Sequence, residues 1–559
     1  MSKSVYVAAI VIAALGGAGL FALNTNIAEH KGESKTQPLK TFEISDEEPD
    51  FAKWGRNFPA QLDGYLQMKD EYIETPFGGS LPYSKIIRWP AATTFWNGYA
   101  FAVDYSKPRT HYYSQIDQME TKRNNKEYLN THGLPAFKGQ PGACVNCHTG
   151  FLTAIYKSDK LSPSFMLGKT EVMGAKKMGF FDVFGDKGEA MKEAWTNMNK
   201  MPYFDVMKKV EEKYGDGIHG SHMGSTCADC HSPEDMSLRV TRPAFVNAMV
   251  LRGYEADSKS GIKASRKEMR NYVCMQCHVE YYFEGKDSTL TFPWTKWKKD
   301  EAFKIENFDE YYDEKFANGE FPYDYIQKDT KTKIIKMQHP EAEMYSSSLH
   351  YRSGVTCADC HMPYKRDGAN KVTNHNILSP LADINAACKT CHPQSEQVLK
   401  DRISFIQNRH AYELRGCENN LLALIADIKT AREELAKLPE FASLEDKARD
   451  DAISKVIEKA QYAHRKAHIR WDVSFSENSY GFHSPQEFMR IIGQCKEVAR
   501  EGQAELANAL APYGIKIELT KTATIPAAPE KLDHKPPTAS LPTEAMKKVD
   551  EDIKNLNFK

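Results

Sequence analysis

An excess of charge of either sign is missing. Lys and Arg number 74 and Asp and Glu 75, for a formal net charge of −1, so bulk attraction to a nucleic-acid backbone has no support. Apolar content is modest: 41% hydrophobic against 27% charged residues, with a mean hydropathy of −0.58. That excludes a polytopic membrane protein and a wholly disordered chain. Twelve Cys in 559 residues are too sparse for a small disulfide scaffold. No stretch alternates convincingly as a β-strand, and no quinone or nicotinamide motif is present. The length allows three or more domains, or one large one.

The exception is at the start. Lys3 precedes Val5–Leu23, 19 residues without a charge. This reads as an export signal, cleaved or retained as an anchor across a bilayer. No clean Ala-x-Ala site follows; the nearest candidates end at Ala22 and Ala28. Either way the bulk of the chain lies outside the cytoplasm, in the periplasm. We read 1–28 as signal or signal-anchor and 29–50 as a polar linker.

Ten of the twelve Cys fall in five copies of one pentapeptide: Cys144-Val-Asn-Cys147-His148, Cys227-Ala-Asp-Cys230-His231, Cys274-Met-Gln-Cys277-His278, Cys357-Ala-Asp-Cys360-His361 and Cys388-Lys-Thr-Cys391-His392. Cys-x-x-Cys-His is the attachment signal for c-type haem. Two thiols one turn apart reach the two vinyl groups of one porphyrin, and the next residue offers an imidazole to the iron. Zinc knuckles would not need the His, and thiols tend to oxidise outside the cytoplasm. Motif starts are 83, 47, 83 and 31 residues apart. That irregularity suggests five haems embedded in one continuous region, 51–402, and not a tandem array.

Residues 403–515 change character. Leu414–Leu438, Ile453–Ala467 and Pro485–Leu510 show helical apolar spacing, with Pro439 as a break. They predict a long helical hairpin or bundle. Cys417 and Cys495 sit on two such stripes and read as buried apolar thiols, not as a disulfide with each other. Residues 516–559 hold Pro526, Pro529, Pro536, Pro537 and Pro542, a tail that wraps or dangles. The fold class expected is mainly α with extensive coil.

Thirteen His remain after the five proximal ones. Spacing alone does not count distal ligands, but His111, His350, His375 and His483 stand out by position. Two other clusters are Val279-Glu280-Tyr281-Tyr282 and Lys336-Met337-Gln338-His339-Pro340-Glu341. Their carboxylate, amide and carbonyl groups are hard donors suited to Ca²⁺; a solvated polar loop is the plain alternative. Arg123, within Glu120–Lys126, reads by itself as part of a solvated charge run.

Taken together these residues resemble the pentahaem, ammonia-forming cytochrome c nitrite reductase family, over roughly residues 85–515. The marks are five ordered haem motifs, Cys-His-Val-Glu-Tyr at the third, Lys-x-Gln-His-Pro-Glu before the fourth, and the late His-Ser-Pro-Gln-Glu segment. The resemblance implies a compact multihaem cytochrome c fold with five covalent haems c and one Ca²⁺. It implies six-electron reduction of nitrite to ammonium at an open haem on the first motif, fed by four bis-His haems. It places Arg123, Tyr281 and His339 in the substrate pocket, and Glu280, Tyr281, Lys336 and Gln338 on calcium, with Tyr281 and Lys336 through backbone carbonyls. It makes His375, His111, His483 and His350 the distal ligands of the second, third, fourth and fifth haems. It further implies a membrane-bound multihaem quinol dehydrogenase as donor and a homodimer through the long C-terminal helices. Many members carry Lys as the catalytic proximal ligand; this chain has His148. His339, with an unperturbed pKa near 6.5, suits a proton relay. His132, His219, His222, His410, His464, His468 and His534 read as structural or surface residues. The rival readings are a non-enzymatic electron carrier and an oxidoreductase acting on hydroxylamine or sulfite.

Overall fold

A computed structural model of the chain describes residues 3–36, 41–70, 73–134, 139–168, 179–215, 223–284, 288–295, 304–320, 323–367, 370–528 and 542–556. Helix α1 (Lys3–Thr36) comes first. Its stretch Lys3–Glu29 contains an 18-residue window of mean hydropathy 2.2, none of it buried in the rest of the protein, as suits a signal or anchor. The helix continues beyond residue 28, so the expected linker is partly helical. Residues 41–50 are docked as well: Ile44 is buried, Asp46 pairs with Lys157 and Arg239, and Asp50 caps the next turn by accepting from Ala52 N (2.8 Å).

Between 51 and 395 the described residues form short helices, turns and coil. Longer pieces include α2 (Asp186–Lys200), α3 (Tyr203–Tyr214), α4 (Arg266–Met275) and α5 (Ile305–Ala317). Among the described residues the strands form five antiparallel ribbons of two strands each. The longest pairs Tyr364–Asp367 with Asn370–Thr373. This is a mainly α fold in which turns carry much of the chain.

The C-terminal half is built on α6 (Glu396–Leu435), α7 (Glu458–Ser476) and α8 (Pro485–Leu510). α6 begins near the fifth motif, well before Leu414. Its first turns are largely exposed and mix charged side chains with the exposed Val398 and Phe405, so no buried stripe marks the start of the helix. α8 has the bounds its sequence predicts. Pro485 occupies the first turn, where no backbone N–H is needed, and Phe488, Ile491, Ile492, Ala499 and Leu506 form the buried face. Gly502 lets the three helices close up: a Cβ there would lie 2.8 Å from Ala463 Cβ and 2.9 Å from Leu424 Cδ2.

Cys417 and Cys495 are not free thiols. They form a disulfide between α6 and α8, with Cα atoms 5.9 Å apart. The two apolar stripes that bury them face each other and bring the two thiols within bonding distance. Each stripe read separately shows burial and not the partner. The tail also packs. Helix α9 (Glu544–Lys554) buries Met546 and Ile553, and Asp550 grips the buried Arg88 (3.0 Å). Pro529, Pro536 and Pro537 lie outside the described residues.

Candidate haem centre and anion pocket

Local capping shapes the motif turns. In the second and fourth motifs the residue before the second Cys is Asp. Asp229 Oδ2 accepts from Thr226 N (2.7 Å) and Asp359 Oδ2 from Thr356 N (2.8 Å), closing one turn that puts both thiols on the same side. Buried arginines then tie motif to motif. Arg242 donates to Asp229 Oδ1 (2.5 Å) and to Asn146 O (2.6 Å) of the first motif. Arg270, on the helix leading to the third, donates to Asp359 Oδ1 (2.6 Å) of the fourth. The thiols of Cys147 and Cys277 are close enough to perturb each other, as are those of Cys274 and Cys357. Cys230 feels Cys274 and Cys277, and Cys360 feels Cys388 and Cys391. The five turns therefore form one contiguous cluster.

Four of the motif imidazoles face a second imidazole. Ring centroids are 6.3 Å apart for His231 and His375, 6.0 Å for His278 and His111, 6.2 Å for His361 and His483, and 6.2 Å for His392 and His350. A metal between two imidazoles, with bonds of about 2 Å to each nitrogen, separates centroids by roughly 6.3 Å. The same spacing occurs between His464 and His468 on α7, which belong to no Cys-x-x-Cys turn. The distance has meaning only beside the thiols. Nδ1 of His231, His361 and His375 lies 2.9 Å from the carbonyls of Met236, Leu378 and Thr373. Those contacts leave Nε2 to face the gap.

His148 differs. Its Nδ1 lies 3.2 Å from Ser114 O, and no second imidazole pairs with it among the ring contacts of the described residues. It opens instead on a cavity of about 920 Å³ lined by Cys144, Arg123, Tyr281, His339, Lys336 and Gln338. Sequence segments around 123, 281 and 339 thus converge on one space.

Arg123 is buried and not part of a solvated run. It donates to Asp104 O (2.7 Å), stacks over Phe101 at 4.3 Å, and keeps Nε without a partner. Tyr281 is buried; burial and then the nearby Cys147 and Cys144 raise its hydroxyl well above the usual range, so it stays a proton-bearing donor. His339 is half-buried in the cavity wall. Burial, then His278, His148 and Lys336, push it well below its ordinary 6.5. The imidazole is therefore neutral at neutral pH, contrary to a relay poised near 6.5. Lys336 and Lys85, both buried, also line the cavity. Against burial, which raises it, these two cations lower the Tyr105 hydroxyl. The field in the cavity favours anions.

Below this wall sit the proposed calcium donors. Glu280 is fully buried and accepts from Gln338 N (2.6 Å) and Tyr312 OH (3.2 Å). Gln338 Nε2 lies 3.3 Å from Lys336 O. Glu343, which the sequence reading passed over, is buried beside them and accepts from Glu280 N at 3.0 Å. Burial raises both carboxyls well above the usual range, and the charge of Glu280 raises Glu343 further. Two buried carboxylates, an amide and a carbonyl are a donor set suited to a hard divalent cation. Asp104 and Ser114 were likewise missed; no motif marks them, because they act through backbone carbonyls.

Of the unassigned histidines, His132 is exposed, while His464 and His468 are buried in α7. His410 is pinned between Tyr480 O (3.2 Å) and Pro485 O (3.1 Å). His219, His222 and His534 lie outside the described residues.

The family model for cytochrome c552 matches residues 50–177 and 183–557. The chain belongs to the cytochrome c552 family. It is 32% identical to cytochrome c-552 of Porphyromonas gingivalis over 468 residues, covering 83% of this chain and 77% of that one. It is 31% identical to cytochrome c-552 of Parabacteroides distasonis over 497 residues, covering 89% and 84%. In fold it is similar to the cytochrome c nitrite reductase from Desulfovibrio desulfuricans, whose catalytic subunit has two calcium sites. The TM-score is 0.63 at 24% identity, with 84% of this chain and 89% of that one covered.

Proposed function

We propose that this cytochrome c552 family member is a periplasmic pentahaem enzyme that reduces nitrite to ammonium in the cavity beside His148. The carrying observation is the asymmetry of the five motif imidazoles: four face a second imidazole at 6.0–6.3 Å, and the fifth faces a cation-lined cavity. The pairs and the thiol turns fit five haems c, with His148, His231, His278, His361 and His392 proximal and His375, His111, His483 and His350 distal. A haem held by Cys144, Cys147 and His148 would relay electrons to a small anion and act on it as a Lewis acid. The contiguous motif cluster suits a pathway for six electrons.

The chain's own residues supply position and field. Arg123 brings a fixed positive charge and a free donor to the nitrite oxygens. Tyr281 presents a hydroxyl that stays protonated throughout. His339, being neutral, donates one N–H and holds an acceptor at its other nitrogen; it passes protons inward only as it receives them. The glutamates Glu280 and Glu343 with Gln338 and the carbonyls of Tyr281 and Lys336 would hold Ca²⁺. That ion would lock together the segments bearing Tyr281 and His339. The similarity in fold to a reductase with calcium sites supports this reading.

The electrons come from an external donor, for which a membrane-bound multihaem quinol dehydrogenase is our candidate. A homodimer through the long helices forms part of the proposal. Val398 and Phe405, seven residues apart on α6, are 52% and 48% exposed, with Tyr412 next in the series at 36%, an apolar seam without cover in one chain. Turnover tests the reading. With a reduced viologen donor, the purified protein should form one ammonium per nitrite. Tyr281→Phe and His339→Ala should each slow it while haem content stays at five. Unchanged rates in both would remove the pocket, and a higher efficiency on hydroxylamine or sulfite than on nitrite would replace the substrate.

A further inference from the structure

One of the four imidazole pairs is electrically unlike the rest. Glu477, which follows α7, is fully buried, and its Oε1 lies 2.6 Å from His483 Nδ1. Its remaining lone pairs accept from Ser479 N (3.0 Å), the Ser479 hydroxyl (2.8 Å) and Gly481 N (3.1 Å). Four donors converge on this carboxylate, which is the environment of an anion. The loop is bent for the purpose. Tyr480 has φ +50° and Gly481 φ +80°, and left-handed backbone is strained at a bulky residue. Packing of the Tyr480 ring on Phe77 at 4.3 Å holds it there.

The other pairs show nothing comparable. The Nδ1 atoms of His361, facing His483, and of His231 and His375 meet neutral backbone carbonyls. His278 has Glu341 at 4.0 Å, beyond hydrogen-bond reach. A carboxylate that takes the Nδ1 proton partway makes the opposite nitrogen a stronger donor, and a stronger axial donor stabilises ferric over ferrous iron.

We propose that Glu477 is a positioning residue that makes His483 an imidazolate-like ligand and the iron between His361 and His483 the hardest of the four paired irons to reduce. This rests on the haem assignment proposed above. The fourth motif sits between the third and the fifth, so an electron arriving there is passed on and not stored.

The test is a redox titration of the purified holoprotein followed by absorption and EPR. Glu477→Gln should keep five haems and shift one low-spin centre toward reduction by about tenfold in its ferric-to-ferrous ratio, ~59 mV upward. Ser479→Ala removes a donor to the carboxylate and leaves it more basic, so the same centre should move the opposite way. A Glu477→Gln protein with five haems and no shift overturns the proposal. If that variant loses haem, Ser479→Ala decides: an upward shift or none overturns it as well. A wild-type protein with fewer than five haems would instead defeat the haem assignment.

Discussion

Arg123 is held by the backbone of Asp104 and not by its carboxylate. Nη1 donates to the Asp104 carbonyl at 2.7 Å, while Asp104 Oδ2 lies 4.0 Å away and accepts from Thr121 Oγ1 (2.8 Å) and Lys122 N (2.7 Å). The carboxylate is thus an ion-pair neighbour without a hydrogen bond to the guanidinium, which keeps Nε as a donor for an anion. Arg123→Ala should lower kcat/KM for nitrite by about 100-fold, the scale of one lost charged donor in a buried site. Asp104→Asn, which keeps the carbonyl, should cost less than tenfold. Steady-state kinetics of the two variants separate anchoring from binding.

The disulfide encloses a long loop. Cys417 and Cys495 are 78 residues apart, a closure worth about 4 kcal/mol on the chain-entropy model. Mild reduction, or a Cys417→Ala, Cys495→Ala double variant, should lower the thermal midpoint while the haem spectrum at room temperature stays unchanged. Equal midpoints would mean the two helices hold together by packing alone.

Acid should weaken the helical part of the fold. Burial lowers His464 from 6.5 to about 3, so it is neutral in the fold and protonated in the unfolded chain below 6.5. Its contribution is present in full above about pH 6.5 and is lost as pH falls toward 3. Urea midpoints measured from pH 7 to 4 should decline, and His464→Gln should flatten that decline.

Calcium should matter through charge as well as geometry. Without a cation, Glu280 and Glu343 are two buried carboxyls raised together. Chelation should lower both turnover and thermal midpoint, and added Ca²⁺ should restore both. At a hundredfold excess over Kd the ion contributes about 2.7 kcal/mol. Glu280→Gln should abolish the response to Ca²⁺ in either assay.

How much of this was legible in the sequence follows from which interactions are local. The five Cys-x-x-Cys-His turns need only neighbouring residues, so the motif itself announces them. α8 was legible because one face is continuously apolar from Phe488 to Leu510 and Pro485 fixes its start. The convergence of Arg123, Tyr281 and His339 on one cavity was visible only through the family resemblance; alone, Arg123 looked like one charge among many. The Cys417–Cys495 bridge depends on how α6 lies on α8, which no single helical stripe encodes. Asp104, Glu343 and Glu477 escaped for a similar reason. Each is an ordinary acidic residue made special by a partner brought in by the fold, and for Glu280 and Glu343 that partner is 63 residues away. The lowered His339 is likewise a product of burial and neighbouring cations.

The lack of an imidazole facing His148 among the described residues bears the whole account, and a low-temperature EPR spectrum of the oxidised holoprotein, taken with and without nitrite, tests it most directly. We predict one high-spin ferric centre beside four low-spin ones, and conversion of that high-spin signal when nitrite is added. Five low-spin centres indifferent to nitrite would make this protein an electron carrier.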